Sequence, residues 1–286
     1  MSSKPTNKKK KQASEDLSPE DQLLKEKIES LSEKICNLEN SQDITLESIK
    51  ELTIEVRKST RLRTAIPKAM KFLKSHYSSL ETAFDNLITG TRKQHLADFL
   101  SLICNSLKEK YDNDCLKYLQ QGTGTMDLED LGEEFILTLS GDLANEYLNL
   151  LDEDKDVSEV HALTQKILPV MFRTGNEINV VDLLLEVDRL DLLKEHVTVD
   201  NFMRIFNYLV ASVNYTADNV EYEAIMTTLF SISMHLGNLS SALRVAIRWN
   251  SKDKIMEVMT KCSDVALRKQ FCFMLGRHRY TSSLFH

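Results

Sequence analysis

Phe202-Met203-Arg204-Ile205-Phe206-Asn207-Tyr208-Leu209-Val210-Ala211-Ser212-Val213 is the stretch that decides the fold class of this chain. Phe202, Ile205, Phe206, Leu209, Val210 and Val213 fall at offsets 0, 3, 4, 7, 8 and 11. That spacing gathers them on one stripe of a 3.6-residue helix and would scatter them over both faces of a strand. A helix this short gains little from propensity alone, so its stripe must be covered by neighbours. The same pattern extends in both directions. Downstream, Asn219 is expected to cap a helix presenting Tyr222, Ile225, Met226, Leu229 and Phe230, closed by Gly237. Ser240 opens another with Leu243, Ala246 and Trp249, followed by shorter helices at Ile255–Met259 and Val265–Leu275, the last closed by Gly276.

Upstream, Val160, Leu163 and Ile167 form a face that bends or ends near Pro169, and Leu128, Leu131, Phe135, Leu139, Leu143 and Tyr147 form another. The segment Asp112 to Thr125, with Gly122 and Gly124, reads as a loop. Before it, helices are expected over Arg92–Leu107, after Pro67 (Met70, Leu73, Tyr77, Leu80, Phe84, Leu87) and around Ile49, Leu52 and Val56. Order begins at Ser18-Pro19, where Ser18 can cap and Pro19 suits the first helical position. The helix that follows carries Leu24, Ile28, Leu31, Ile35 and Leu38, a heptad seam too short for a coiled coil and better read as packing on its own neighbours.

Composition agrees. Eight glycines and four prolines in 286 residues cannot supply the turns of an all-β fold. The expectation is an all-α chain, an irregular helical array or α-solenoid of antiparallel helix pairs. Gly237 and Gly276 lie 39 residues apart, within the period of such repeats, although no sequence self-similarity accompanies them. The domains expected are a disordered Lys-rich tail at 1–17, an amino-terminal helical region at 18–120, a helical rod at 121–278 and a short end at 279–286.

A net charge of −7 argues against wrapping nucleic acid. Ala224 to Leu243 carries no formal charge over 20 residues, but eight of them are polar, so it reads as a buried helix and the start of the next rather than a membrane span. Met1 to Asp16 lacks an apolar core for a signal peptide, and five scattered cysteines fit reduced thiols in the cytosol or nucleus. Lys8 to Lys11 reads equally as a nuclear-import signal or a solubilising tail.

No spacing carries chemistry. There is no C-x-x-C or H-E-x-x-H, and Gly122-Thr123-Gly124-Thr125 lacks the Lys-Ser/Thr and the preceding strand of a phosphate loop. An enzyme is not expected, nor a cofactor or metal. Charge is more informative. Residues 121–200 hold 19 acids against 5 bases, while Arg57, Lys58, Arg61, Arg63, Lys68, Lys71 and Lys74 form a run with no acid between Glu55 and Glu81. These seven are the candidate partner-contact residues. More cations cluster near the end, from Arg244 to Arg279.

Several stretches carry a resemblance. Ile66-Pro67-Lys68, Lys71-Phe72-Leu73, His76-Tyr77, Asp114-Cys115-Leu116-Lys117-Tyr118, Asp182-Leu183-Leu184-Leu185-Glu186-Val187, Ser212-Val213-Asn214-Tyr215 and Phe273-Met274-Leu275-Gly276-Arg277-His278 occur in this order. Over residues 18–278 the chain resembles the amino-terminal region of the large non-ATPase scaffold subunits of the 26S proteasome base, the regulatory subunit 2 family. The resemblance implies a non-catalytic all-α scaffold beside the AAA+ ATPase ring, near the amino-terminal coiled coil of an ATPase pair. It implies partners among those ATPases and other base subunits, in cytoplasm and nucleus, with no small-molecule substrate, nucleic acid or membrane. It also implies that the chain stops before the repeats that dock ubiquitin and shuttle factors. An array cut there is expected to leave some of Val265, Leu267, Phe271, Phe273, Met274, Leu284 and Phe285 uncovered. Without the resemblance, a free-standing helical adaptor in another pathway fits the same residues.

Overall fold

The computed structural model of the chain describes residues 18–37, 42–60, 68–107, 114–124, 128–216 and 218–280. The tail at 1–17, Pro67, Leu38, Leu284 and Phe285 lie outside the described residues. Among those described, every regular element is helical. The chain divides into two compact units, one ending at Met126 and the other beginning at Asp127.

The first unit contains α1 (Pro19–Cys36), α2 (Gln42–Thr60), α3 (Lys68–Leu73), α4 (Tyr77–Asn86), α5 (Thr91–Leu107) and α6 (Asp114–Gln121). Helix α1 starts as its sequence dictates: Pro19 occupies the first position and the Ser18 hydroxyl accepts from the Asp21 amide at 3.3 Å. Its seam is satisfied within the chain. Ile28, Leu31 and Ile35 are buried, and α1 packs on α2, α3 and α4. Ile49, Leu52 and Val56 of α2, Met70 and Leu73 of α3, Leu80 and Phe84 of α4, and Leu96, Phe99, Leu100 and Ile103 of α5 complete this core. Each such side chain contributes about 1.5–3 kcal/mol relative to exposure.

Helix α6 overturns the loop expected from 112 to 125. Eight residues coil from Asp114 and bury Cys115, Leu116 and Tyr118 against α5, with Tyr118 edge-on to Phe84 at 5.2 Å between centroids. Only after it does a turn form. There the Asp98 carboxylate accepts from the Thr123 amide at 3.1 Å and its hydroxyl at 2.6 Å. A Cβ on Gly122 would lie 2.2 Å from an Asp98 oxygen, so a side chain there would have to displace the Asp98 carboxylate.

The second unit opens with a 3-10 turn at Leu128–Leu131 and continues through α7 (Glu133–Asp152), α8 (Ser158–Arg173) and α9 (Glu177–Glu186). A 3-10 turn at Leu190–Leu192 leads into α10 (Leu193–His196), then α11 (Val199–Ser212), α12 (Asn219–His235), α13 (Leu239–Arg248), α14 (Lys252–Lys261) and α15 (Val265–Arg277). The face drawn from Leu128 to Tyr147 is broken at Gly132, whose φ of 88° is open to glycine and strained for other residues. Helix α8 does not stop at Pro169 but runs on to Arg173. The caps shift by a residue or two: Asp218 precedes α12, and Asn238 caps α13 by accepting from the Ser241 amide.

Order in the sequence is largely order in space. Helix α7 packs on α8, α9 packs on both, α11 packs on α9, and α12, α13 and α14 follow in turn, with α15 returning to α13. Connections this short make successive helices reverse direction, which is the logic of a helical array.

One backbone device recurs at the joints. Asp154, Gly175, Asp188, Gly237, Asn250 and Arg279 each take a left-handed φ, between 54° and 81°, just after a helix. In each case the next residue's amide donates five residues back: Lys155 to Leu150, Asn176 to Met171, Arg189 to Leu184, Asn238 to Ser233, Ser251 to Ala246 and Tyr280 to Leu275. This is the Schellman closure, which satisfies carbonyls the helix end leaves open. Gly276, expected to close α15, instead lies inside it, and Arg279 takes the left-handed position. The glycine interval of 39 residues is therefore not a structural period.

Candidate partner-docking surfaces

Of the seven candidate cations, Arg57 and Lys58 lie near the end of α2 with side chains outside the described residues, as are Arg61 and Arg63 altogether. The remaining three sit on and beside α3. Lys68 donates to both carboxylate oxygens of Asp21, at 2.9 and 2.8 Å. The hydrogen bond from Lys68 holds the Asp21 carboxyl below the usual carboxylate range. Lys68 therefore ties the start of α3 to the start of α1. Lys71 and Lys74 are exposed and, three residues apart, share a side of the chain there.

In the second unit many charges are engaged internally. The acid-rich span 121–200 includes Glu177, which is buried and paired with Arg204 at 3.0 Å. Tyr147 donates to Asp188 at 3.2 Å, Tyr208 donates to Asp182, and Trp249 donates to both oxygens of Glu223 at 3.1 Å. The cations near the end act similarly. Arg248 donates to the Val210 carbonyl at 3.2 Å, Lys261 to Met234 at 3.1 Å and Arg268 to Met259 at 2.9 Å. Each of those carbonyls lies in the last turn of a helix, where the dipole favours a cation.

Helices α12 and α14 flank a cleft of about 840 Å³, with Phe230, Met234 and His235 on one side, Lys254, Glu257 and Lys261 on the other, and Lys194 and Trp249 at its margins. Lys254 lies 4.7 Å from the Phe230 ring centroid and pairs with Glu257 at 3.1 Å. Sequence reading missed this cleft because its lining is drawn from four elements; only the shared side of Lys254 and Lys261, seven residues apart on α14, hinted at it. Two of its cations are already engaged, Lys254 by Glu257 and Lys261 by the Met234 carbonyl. Among the described residues no three His, Cys, Asp or Glu side chains gather to hold a metal ion, and no helix is long and apolar enough to cross a membrane.

Exposed apolar side chains are scattered over both units, among them Ile88, Val199 and Val220, and α15 carries two of them. Phe273 is 80% exposed and Val265 67% exposed, Leu267 and Met274 are half-buried, and Phe271 is fully buried. The expectation that this set includes uncovered residues is met at Val265 and Phe273.

Comparison with known proteins accounts for this helical order. The family model described as the RPN1 N-terminal domain matches residues 28–286. The 26S proteasome non-ATPase regulatory subunit 2 homolog A of Arabidopsis thaliana is 31% identical over 266 residues, covering 93% of this chain and 29% of that protein. Homolog B from the same plant is 32% identical over 243 residues, covering 85% and 27%. The 26S proteasome regulatory subunit rpn1 of Schizosaccharomyces pombe is 31% identical over 269 residues, covering 93% and 29%. The chain thus spans less than a third of the length of these relatives. Nearly the whole of both helical units falls under one description, and the chain belongs to the family of RPN1 N-terminal domains.

Proposed function

We propose that the chain is a non-catalytic scaffold element of the 26S proteasome base, working in cytoplasm and nucleus in support of ATP-dependent degradation of ubiquitinated proteins. It docks on the AAA+ ATPase ring, where its partners are the amino-terminal coiled coil of an ATPase pair and other base subunits. The observation that carries this reading is the match of residues 28–286 to the RPN1 N-terminal domain, together with relatives named as proteasome regulatory subunits. The molecule supports it in kind: two units of packed helices, with cations and rings available on broad faces, suit grip rather than turnover. The contact surface proposed is the basic run Arg57, Lys58, Arg61, Arg63, Lys68, Lys71 and Lys74, which suits an acidic helical partner.

The test is co-purification. An affinity-tagged chain expressed in eukaryotic cells is expected to bring down proteasomal ATPases. Reversing Arg57, Lys58, Arg61, Arg63 and Lys71 to Glu is expected to reduce that recovery by about tenfold or more. Lys68 is spared because its loss would break the tie to Asp21. Recovery of no base subunit by the unmutated chain would refute the docking; equal recovery by the reversed variant would refute the surface.

A further inference from the structure

Cys104 lies in the last turn of α5 and Cys115 is the second residue of α6. Their sulfur atoms are 3.3 Å apart, and both side chains are buried. Both are free thiols. The separation is already inside ordinary contact for two sulfurs, and a disulfide of about 2.04 Å requires a further approach of only about 1.3 Å. Helices α5 and α6 pack closely on each other, so the two thiols are held face to face by the surrounding core rather than by chance of side-chain rotation.

We propose that Cys104 and Cys115 form an oxidisable dithiol whose closure to a disulfide pins α6 onto α5. With hydrogen peroxide as oxidant, one thiolate attacks the peroxide O–O bond, hydroxide leaves, and that sulfur becomes a sulfenic acid. The second thiolate attacks the sulfenic sulfur, the S–S bond forms, and the sulfenic oxygen leaves as water. In sum two thiols and one peroxide give one disulfide and two waters. A dithiol reductant reverses the step by exchange. Closure joins the residues flanking segment 105–114, leaves the helical order unchanged, and removes the freedom of α6 to part from α5.

The experiment uses the purified full chain carrying Cys272→Ser, since Cys272 is exposed and would link separate molecules. The folded protein is treated with hydrogen peroxide, free thiols are alkylated, and peptides are mapped by mass spectrometry. The result expected is one peptide pair joining Cys104 to Cys115, a loss of two hydrogens from the intact mass, restoration by dithiothreitol, and a melting temperature raised by several degrees. Cys104→Ser, checked for helicity by circular dichroism, is expected to abolish the linkage and the melting shift. Mapping of both residues as free or singly oxidised thiols, or linkage appearing only in denaturant, would overturn the proposal. The mapping needs no substitution at either cysteine, so a Cys104 variant that fails to fold leaves the test intact.

Discussion

Phe271 and Phe273 stand two positions apart on α15 and differ in everything but chemistry: the first is wholly buried and the second 80% exposed. Phe271→Ala leaves a cavity and is expected to cost about 3–5 kcal/mol in denaturant melts, whereas Phe273→Ala is expected to stay within about 0.5 kcal/mol. Asp98 and Gly122 form a second residue-scale device. Gly122→Ala must push the Asp98 carboxylate off Thr123, at a cost of about 1–2 kcal/mol, and that cost should vanish in an Asp98→Ala background. Tyr208 supplies a pH signature. Its hydrogen bond to the Asp182 carboxylate, aided by burial, pushes the phenol up to about 12 from an ordinary value of 10.0. The fold favours the neutral phenol, so this contribution is complete below about pH 10 and is lost as pH climbs from about 10 through 12. An ultraviolet titration, differenced against Tyr208→Phe, is expected to show a phenolate midpoint near 12; a midpoint near 10 would contradict the bond.

At the scale of elements, the joints matter most. Among the described residues six helix ends close through a left-handed residue, and two of the six, Gly175 and Gly237, are glycines. The other four carry a side chain in a conformation that disfavours one. Asp154→Gly and Arg279→Gly are therefore expected to raise stability by about 0.5–1 kcal/mol each in thermal melts, and Gly237→Ala to lower it by about 1–2 kcal/mol. Asp188 and Asn250 are poorer tests, because their side chains also accept from Tyr147 and Tyr280. These joints explain what could be read from sequence alone. Periodicity located α11 and α12 because wide apolar stripes survive any tertiary context. Glycine punctuation located the close of α12 at Gly237 but misplaced that of α15, because Asp, Asn and Arg can serve the same turn. Helix α6 escaped because eight residues give barely two turns of pattern, and the stripe of Cys115, Leu116 and Tyr118 that packs on α5 is correspondingly short. Amide exchange tests that correction: Leu116 to Gln121 should be protected as helix, and free exchange there would restore the loop.

For the whole molecule, the charged side chains divide between those that hold the fold together and those left on its surface. Lys68 tying α3 to α1 shows that part of the basic run, although set out as one block in sequence, holds the unit together, while Lys71 is exposed. In the second unit, Arg248, Lys261 and Arg268 brace helix ends, which removes them from the pool of partner-seeking charge. The most direct measurement is binding of the purified chain to the recombinant amino-terminal coiled coil of a proteasomal ATPase pair, followed by size-exclusion chromatography over a range of salt. Co-elution at low salt that weakens as ionic strength rises is the predicted result. A chain that elutes alone at every salt concentration would contradict it.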